Sequence, residues 1–322
     1  MKACIAASVL LMVLLFGVPW LRYAPEKGQE EVPQPLSAAA DVIRVWDGEK
    51  TLEMTMEEYL PGVVRGEMPA SFEMEALKAQ AVAERTYIYY KMADGGKPNH
   101  PDANVCMSSA CCSAYTSAET AAAKWGSRAA EYESRIQKAV QETAGQVMLY
   151  GGEPIFAAFH SSSDGVTANS GDVWVSDLPY LASVASPEGA DNVPNYYSTV
   201  TFSAEEFQQK FKAAHAEAVF GEDPQGWITD PVRNRSDRVE TVTIGGVTVE
   251  GTEVRSIFAL RSASFTAEAT ADSVTFRVTG YGHGVGMSQY GANELARQGK
   301  TWQEILHWYY TGISIESYVQ TR

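Results

Sequence analysis

Gly62–Lys91, GVVRGEMPASFEMEALKAQAVAERTYIYYK, constrains the fold more than any other stretch of this chain. It places one carboxylate, Glu67, in a short turn poor in polar groups, directly ahead of a long helix. That helix is expected to start near Ser71, whose hydroxyl caps free backbone N–H groups, with Glu73 and Glu75 complementing the positive helix end. At 100° per residue, Met74, Leu77, Ala81 and Ile88 fall on one apolar face. Lys78 and Arg85 land beside that face. Two readings stay open for these cations. They belong to a site built around the nearby carboxylate, or they snorkel at the rim of a core helix.

Three motifs follow one another along the chain. They are EYLPGVVRGEMPASFEMEALKAQAVAERTY, FHSSSDGVTANSGDVWVSDLPYL and YGHGVGMSQYGANELARQGKTWQEILHWYY. In sequence and order they resemble the SpoIID/LytB family (stage II sporulation protein D), over about residues 40–320. The resemblance implies a membrane-anchored lytic transglycosylase that cleaves peptidoglycan glycan strands, preferentially strands denuded of stem peptides. It also implies partners at the sporulation septum during engulfment: a SpoIIP-type amidase/endopeptidase and a SpoIIM-type membrane protein.

With 322 residues, 45% of them hydrophobic and 20% charged, the chain can bury a sizeable core as one large domain or two. A net charge of −15 excludes a nucleic-acid surface, which needs a basic stripe. The same charge gives no help with an anionic wall polymer, so glycan contact must rest on a few local cations and many neutral hydrogen bonds. Ala3–Leu21 has no charged side chain, and its nineteen residues span roughly 28 Å as a helix. Lys2 precedes it and Trp20 marks the outer interface, although Arg22 weakens the charge asymmetry. A cleaved signal peptide is the alternative; Ala38-Ala39-Ala40 lies too far downstream to serve as its cleavage site. Residues 1–22 therefore read as an uncleaved single-pass anchor, 23–40 as a linker, and 41–320 as an ectodomain outside the cytoplasm.

His100, Cys106, Cys111 and Cys112 gather four soft or borderline ligands, a density that suits tetrahedral zinc. A disulfide is the rival outside the cytosol, but it leaves one odd cysteine. The resemblance adds weight to zinc: related sporulation proteins carry it on His, Cys and His-Cys, and here Cys111 stands in place of the second His. Four protein ligands leave no position for water, so the metal is expected to be structural.

The polar loop with His160, Ser161, Ser162 and Asp164 hangs from an apolar strand, flanked by Phe159 and Trp174. It reads as an ordinary surface loop or as a sugar-binding site. Four glycines between Gly280 and Tyr290 permit close backbone approach around His283, which is itself open to a purely structural reading. Gln289 and Tyr290 then open a helix. Ser203-x-x-Glu206 and Thr301-x-x-Glu304 are capping boxes, and RVETVTIGGVTVEG is a hairpin about Gly245-Gly246. Helices interspersed with hairpins imply an α+β fold.

Within the expected chemistry Glu67 is the acid, its proton retained by apolar neighbours. Lys78 and Arg85 are assigned to the sugar or its lactyl carboxylate, with His160, Ser161, Ser162, Asp164, His283, Gln289 and Tyr290 as further substrate contacts. Asp164 and Asp172 keep a two-carboxylate hydrolase open. The rivals are a non-catalytic enhancer of a separate wall amidase, and a metallo-amidase using the His/Cys cluster, against which the count of four ligands argues.

Overall fold

A computed structural model describes residues 42–93, 100 and 102–318. The expected anchor and linker lie outside the described residues. Among the described residues no helix is long and apolar enough to cross a membrane.

The chain opens with a hairpin of β1 (Val42–Trp46) and β2 (Thr51–Thr55), turned at Asp47, whose carboxylate accepts from the N–H groups of Glu49 and Lys50. Helices α1 (Met56–Glu67) and α2 (Met74–Met92) follow, then β3 (Val105–Cys106), which pairs in parallel with β1. A single helical turn, Gly126–Arg128, joins α3 (Ala118–Trp125) to α4 (Ala129–Glu142). Strands β4 (Gln146–Tyr150), β5 (Glu153–Pro154) and β6 (Phe159–His160) come next.

Residues 197–279 then form an insert. It comprises β7 (Tyr197–Ser203), α5 (Ala204–Ala214), β8 (Ile228–Arg233), β9 (Val239–Ile244), β10 (Val247–Glu250), α6 (Gly251–Ile257), β11 (Phe265–Ala269) and β12 (Ser273–Thr279). The chain closes with β13 (Met287–Ser288), α7 (Gln289–Arg297), α8 (Trp302–Tyr309) and β14 (Ser314–Ser317). The sheets are small and mostly antiparallel, and the architecture is α+β.

Two hydrophobic cores organise these elements. The first is built on α1, α2, α4, α7 and α8 with β1 and β4; the second lies wholly inside the insert, where Phe207, Phe211, Phe258 and Phe276 stack. Phe265, Val274, Phe276 and Val278 all face inward, as their alternation implies. Both capping boxes form. So does the Gly245-Gly246 hairpin.

Helix α2 is the axle of the first core, with twelve of its nineteen residues buried. It packs against α1, α4, α7, α8 and β4, so apolar contact surrounds it and is not confined to one face. It also starts later than expected. Met74 is its first residue and Ser71 is exposed, because Phe72 N–H turns back on Pro69 O and Glu73 N–H is taken by Asn293. Pro61 lies inside the preceding helix. Helix α1 runs through it to Glu67, since a proline within the second turn removes a single backbone donor while both flanks stay buried.

Arg85 is 1% exposed and donates to the carbonyls of Thr143 (2.7 Å) and Val140 (3.3 Å), capping the C-terminus of α4. Lys78 pairs with Glu75 and Glu142, at 2.8 Å each. Both cations thus serve the packing of α2 on α4, and Arg85 is too enclosed for the sugar contact expected of it. Replacing Arg85 with Met strips these carbonyls of their donor, and is expected to lower unfolding free energy by about 2–4 kcal/mol in urea titrations.

Candidate active site

Glu67 is the last residue of α1, not part of a turn ahead of α2. This places its carboxyl at the negative end of a helix dipole, which favours the protonated form. Gln289 Nε2 donates to the Glu67 carbonyl (3.0 Å), so α7 fixes the end of α1 from across the core. Ala114 N–H donates to Glu67 Oε1 at 2.5 Å. That approach depends on Gly66, where any Cβ would collide with the Ala114 carbonyl. Burial pushes the Glu67 pKa up against the opposing pull of the Ala114 N–H.

A second carboxyl stands beside it. Glu84, on α2, is fully buried and takes hydrogen bonds from Gln80 Nε2 (3.1 Å) and Ser113 Oγ (2.8 Å). Burial, reinforced by the charge of Glu67, pushes its pKa up to about 8. Glu84 is therefore a neutral acid at physiological pH, and its partner Ser113 directly precedes the residue that binds Glu67. The sequence reading missed it. The available signal was a charged residue within the run Ala79–Ala83 and Arg85–Thr86, on a helix with too few polar positions to expose it.

Cys106, Cys111 and Cys112 converge on the far side of Ser113, their three sulfurs within 4.8 Å of one another. Cys106 comes from β3, while Cys111 and Cys112 fold over the Ser108 carbonyl. Cys106 and Cys112 are free thiols. The Cys111–Cys112 sulfur separation is 3.9 Å, close to the ~3.8 Å edge of a tetrahedron with Zn–S bonds of 2.3 Å. Burial pushes the Cys112 thiol up to about 12 and that of Cys106 upward. A soft dication would supply the charge that turns such thiols into thiolates, so the donor set fits zinc. His100 stands outside the 4.8 Å group, its ring stacked on Trp46 at 4.7 Å; Trp46 is the β-pair partner of Cys106.

The polar loop and the glycine-rich loop interlock. Strand β6 pairs in parallel with β13, matching His160 to Ser288. Ser162 N–H donates to Tyr281 O, and Tyr290 N–H to Ser161 O. Gly286 (φ +69°) leaves room for the Ala158 carbonyl, as no other residue could. Tyr290 packs edge-on against Phe72. The buried Glu188, another residue the sequence reading passed over, accepts from Ser163, Ser186 and Ser288 and closes the junction.

His160 donates from Nδ1 to Val285 O, while Val285 N–H donates to His283 Nδ1 and leaves the His283 proton on Nε2. Burial, with neighbouring positive charge, holds His160 well below the usual imidazole range and His283 at about 4, so both rings are neutral. His283 is half-buried, its ring 5.1 Å from that of Trp174. Asp164 is bound to Arg238 at 3.1 Å, and Asp172 accepts from Asn169. The structure thus joins Glu67, Gln289 and the two loops, and it sets Lys78, Arg85 and His100 apart from them.

The family model described as SpoIID, stage II sporulation protein, matches residues 48–150, which hold both carboxyls and all three clustered cysteines. The chain is 37% identical to stage II sporulation protein D of Bacillus amyloliquefaciens, over 95% of this chain and 93% of that protein. It is 40% identical to stage II sporulation protein D of Bacillus subtilis (strain 168), over 81% of this chain and 74% of that one. It is also 29% identical to the amidase enhancer of Bacillus subtilis (strain 168), over 80% of this chain and 40% of the enhancer.

The folded chain holds a proton on Glu84 that the unfolded chain, with an ordinary carboxyl pKa of 4.5, releases. Stability from this proton is complete below about pH 4.5 and declines as pH rises toward 8. Glu84→Gln removes the titration, so the melting temperature of the variant should fall less than that of the parent between about pH 5 and pH 8.

Proposed function

As this chain belongs to the stage II sporulation protein D (SpoIID) family and so to sporulation, we propose that it is a peptidoglycan lytic transglycosylase acting in septal wall remodelling and engulfment. The observation that carries this reading is Glu67: a buried carboxyl at a helix C-terminus, inclined to keep its proton, with one backbone donor ready for its anion.

In the proposed reaction the Glu67 carboxyl protonates the oxygen linking MurNAc C1 to GlcNAc, and the C1–O bond breaks with oxocarbenium character at C1. The MurNAc 6-hydroxyl attacks C1 and forms the C1–O6 bond. The Glu67 carboxylate takes the hydroxyl proton, so the residue is regenerated and a 1,6-anhydro end is left. One carboxyl suffices for both proton transfers. Ala114 N–H supports the transient carboxylate, and a neutral Glu84 spares it a like-charged neighbour. Asp164 is engaged by Arg238, which favours this single-acid route over a hydrolase using Asp164 as base. Trp174 offers a ring to the sugar, beside the neutral His283.

The cysteine cluster is assigned to structural zinc held by Cys106, Cys111 and Cys112, with His100 as the fourth ligand expected of the family. Three thiolates outweigh the charge of Zn2+ and leave it little Lewis acidity, unlike the metal of an amidase. The ion would hold the loop that carries Ser113 and Ala114 against the carboxyls. Residues 3–21 are assigned to a single-pass anchor that keeps the body outside the cytoplasm, where a SpoIIP-type amidase/endopeptidase and a SpoIIM-type membrane protein are the proposed partners. The similarity to an amidase enhancer supports a second reading, a glycan-binding protein that aids a separate amidase.

Glu67→Gln keeps shape and hydrogen bonding but has no proton to give, and should reduce the rate about 10²–10⁴-fold with folding unchanged. Glycan strands with and without stem peptides, digested and analysed by mass spectrometry, should give anhydro-muramyl ends with the parent only. Reducing ends would mean hydrolysis, equal activity would remove Glu67 as the acid, and binding without cleavage by either protein would favour the enhancer. Purified protein should carry about one zinc per chain, and chelation should lower its melting temperature. A metal-free protein with a bridge between Cys106 and Cys111 or Cys112 would refute the assignment.

A further inference from the structure

Cations are few in this acidic protein, yet three arginines surround the glycine-rich loop. Arg261 stacks on Tyr281 at 4.4 Å. Arg238, directly ahead of β9 in the insert, is 2% exposed; its Nη2 binds Asp164 while its Nε has no partner among the described residues. Arg255, from α6, is half-buried, and its one hydrogen bond among the described residues is a long 3.4 Å contact from Nε to Leu260 O. No carboxylate of the described residues lies within ion-pair distance of Arg255. A partly desolvated cation normally has a counter-charge, and this one lacks it.

Arg238 and Arg255 line a small crevice between the insert and the body, whose other walls include Asp172, Thr252, Gly282 and His283. Asp172, the one carboxylate on that wall, is exposed and held by Asn169. The crevice ends a row of half-buried rings. From Tyr87, beside Glu84, the row passes to Phe156, Trp174 and His283 in ring-to-ring steps of 5.1 to 5.8 Å. Such a row offers apolar faces for sugar rings between the carboxyl pair and the arginines.

We propose that the Arg238–Arg255 crevice is an anion subsite that takes a carboxylate of the bound glycan, with Arg255 as the group that recognises it. The proposal rests on the glycan-cleaving reading and adds a second polar anchor to it. Two carboxylates share this chemistry: the free lactyl group of a MurNAc without its stem peptide, and the terminal carboxylate of a stem peptide. The buried Arg238, fixed by Asp164, shapes the floor, and Arg255 presents its free guanidinium edge.

The test is calorimetric binding to the full chain carrying Glu67→Gln, with and without Arg255→Gln. The ligands are a GlcNAc–MurNAc tetrasaccharide with free lactyl groups, its lactyl methylamide, the same sugar bearing stem peptides, and chitotetraose. The Glu67→Gln protein should bind the free acid about ten- to a hundredfold more tightly than the methylamide or chitotetraose, the scale of a charge-assisted hydrogen bond. Arg255→Gln should abolish that preference and leave chitotetraose binding unchanged. Tight binding of the peptide-bearing sugar would place the recognised carboxylate at the peptide end; binding at the chitotetraose level would place it on the lactyl group. Equal affinity for the free acid, the methylamide and the peptide-bearing sugar, or a preference that survives Arg255→Gln, overturns the proposal. Should Arg255→Gln fail to fold, Arg255→Lys decides: an undiminished preference without the guanidinium fork refutes recognition by Arg255. Mass spectrometry of the ligands after titration keeps the two readings apart, because cleavage there counts against Glu67 alone.

Discussion

The contact between Ala114 N–H and the Glu67 carboxyl is the interaction on which the rest of the site depends. It exists because Gly66 has no side chain, so the loop after Cys112 can lie directly on the last turn of α1. Ser113, one residue earlier, reaches the other way to Glu84 on α2. Three consecutive residues therefore connect the sulfur cluster, the buried acid and the C-terminal end of α1. Gln289 locks the same helix end from α7, more than two hundred residues away in the chain. Loop position, not side-chain identity alone, makes this carboxyl different from the many others.

Charge is handled by burial throughout this region. Glu84 is neutral because it is enclosed, and His160 and His283 are neutral because burial and nearby arginines disfavour a second positive charge. Glu188 is surrounded by hydroxyl donors. Burial thus favours the neutral forms of Glu84, His160 and His283, and it pushes the Glu67 pKa up as well. A site of this kind needs no strong overall field, which fits a chain whose net charge is −15.

Local signals read well from the sequence. Capping boxes, the Gly245-Gly246 turn and the alternation in β12 depend on residues close together in the chain, and these elements formed where expected. Glu67 and the polar loops were singled out through motif and resemblance, and the structure brings them together through Gln289 and the β6–β13 pair. What failed were inferences about long-range burial. Ser71 looked like a helix cap, but Phe72 and Asn293 moved the start to Met74. Lys78 and Arg85 looked like ligand contacts because periodicity places them near an apolar face. Only the packing of α4 reveals that Arg85 is its cap and that Lys78 has two carboxylate partners. Glu84 and Glu188 escaped notice because a buried acid has no sequence pattern of its own; it is defined by neighbours from other elements.

The insert leaves the body at Tyr197 and returns at Thr279, and these two residues face each other at one end of the β7–β12 ladder. Gly280 N–H then bonds to Tyr196 O, so the exit and re-entry points are adjacent. The insert also carries its own aromatic core. It is in effect a removable cassette: it can lengthen, shorten or change its surface without re-routing the chain that holds Glu67, Glu84 and the cysteines. The Arg238–Arg255 wall of the crevice can therefore change its surface without disturbing the helices and loop that hold Glu67 and Glu84.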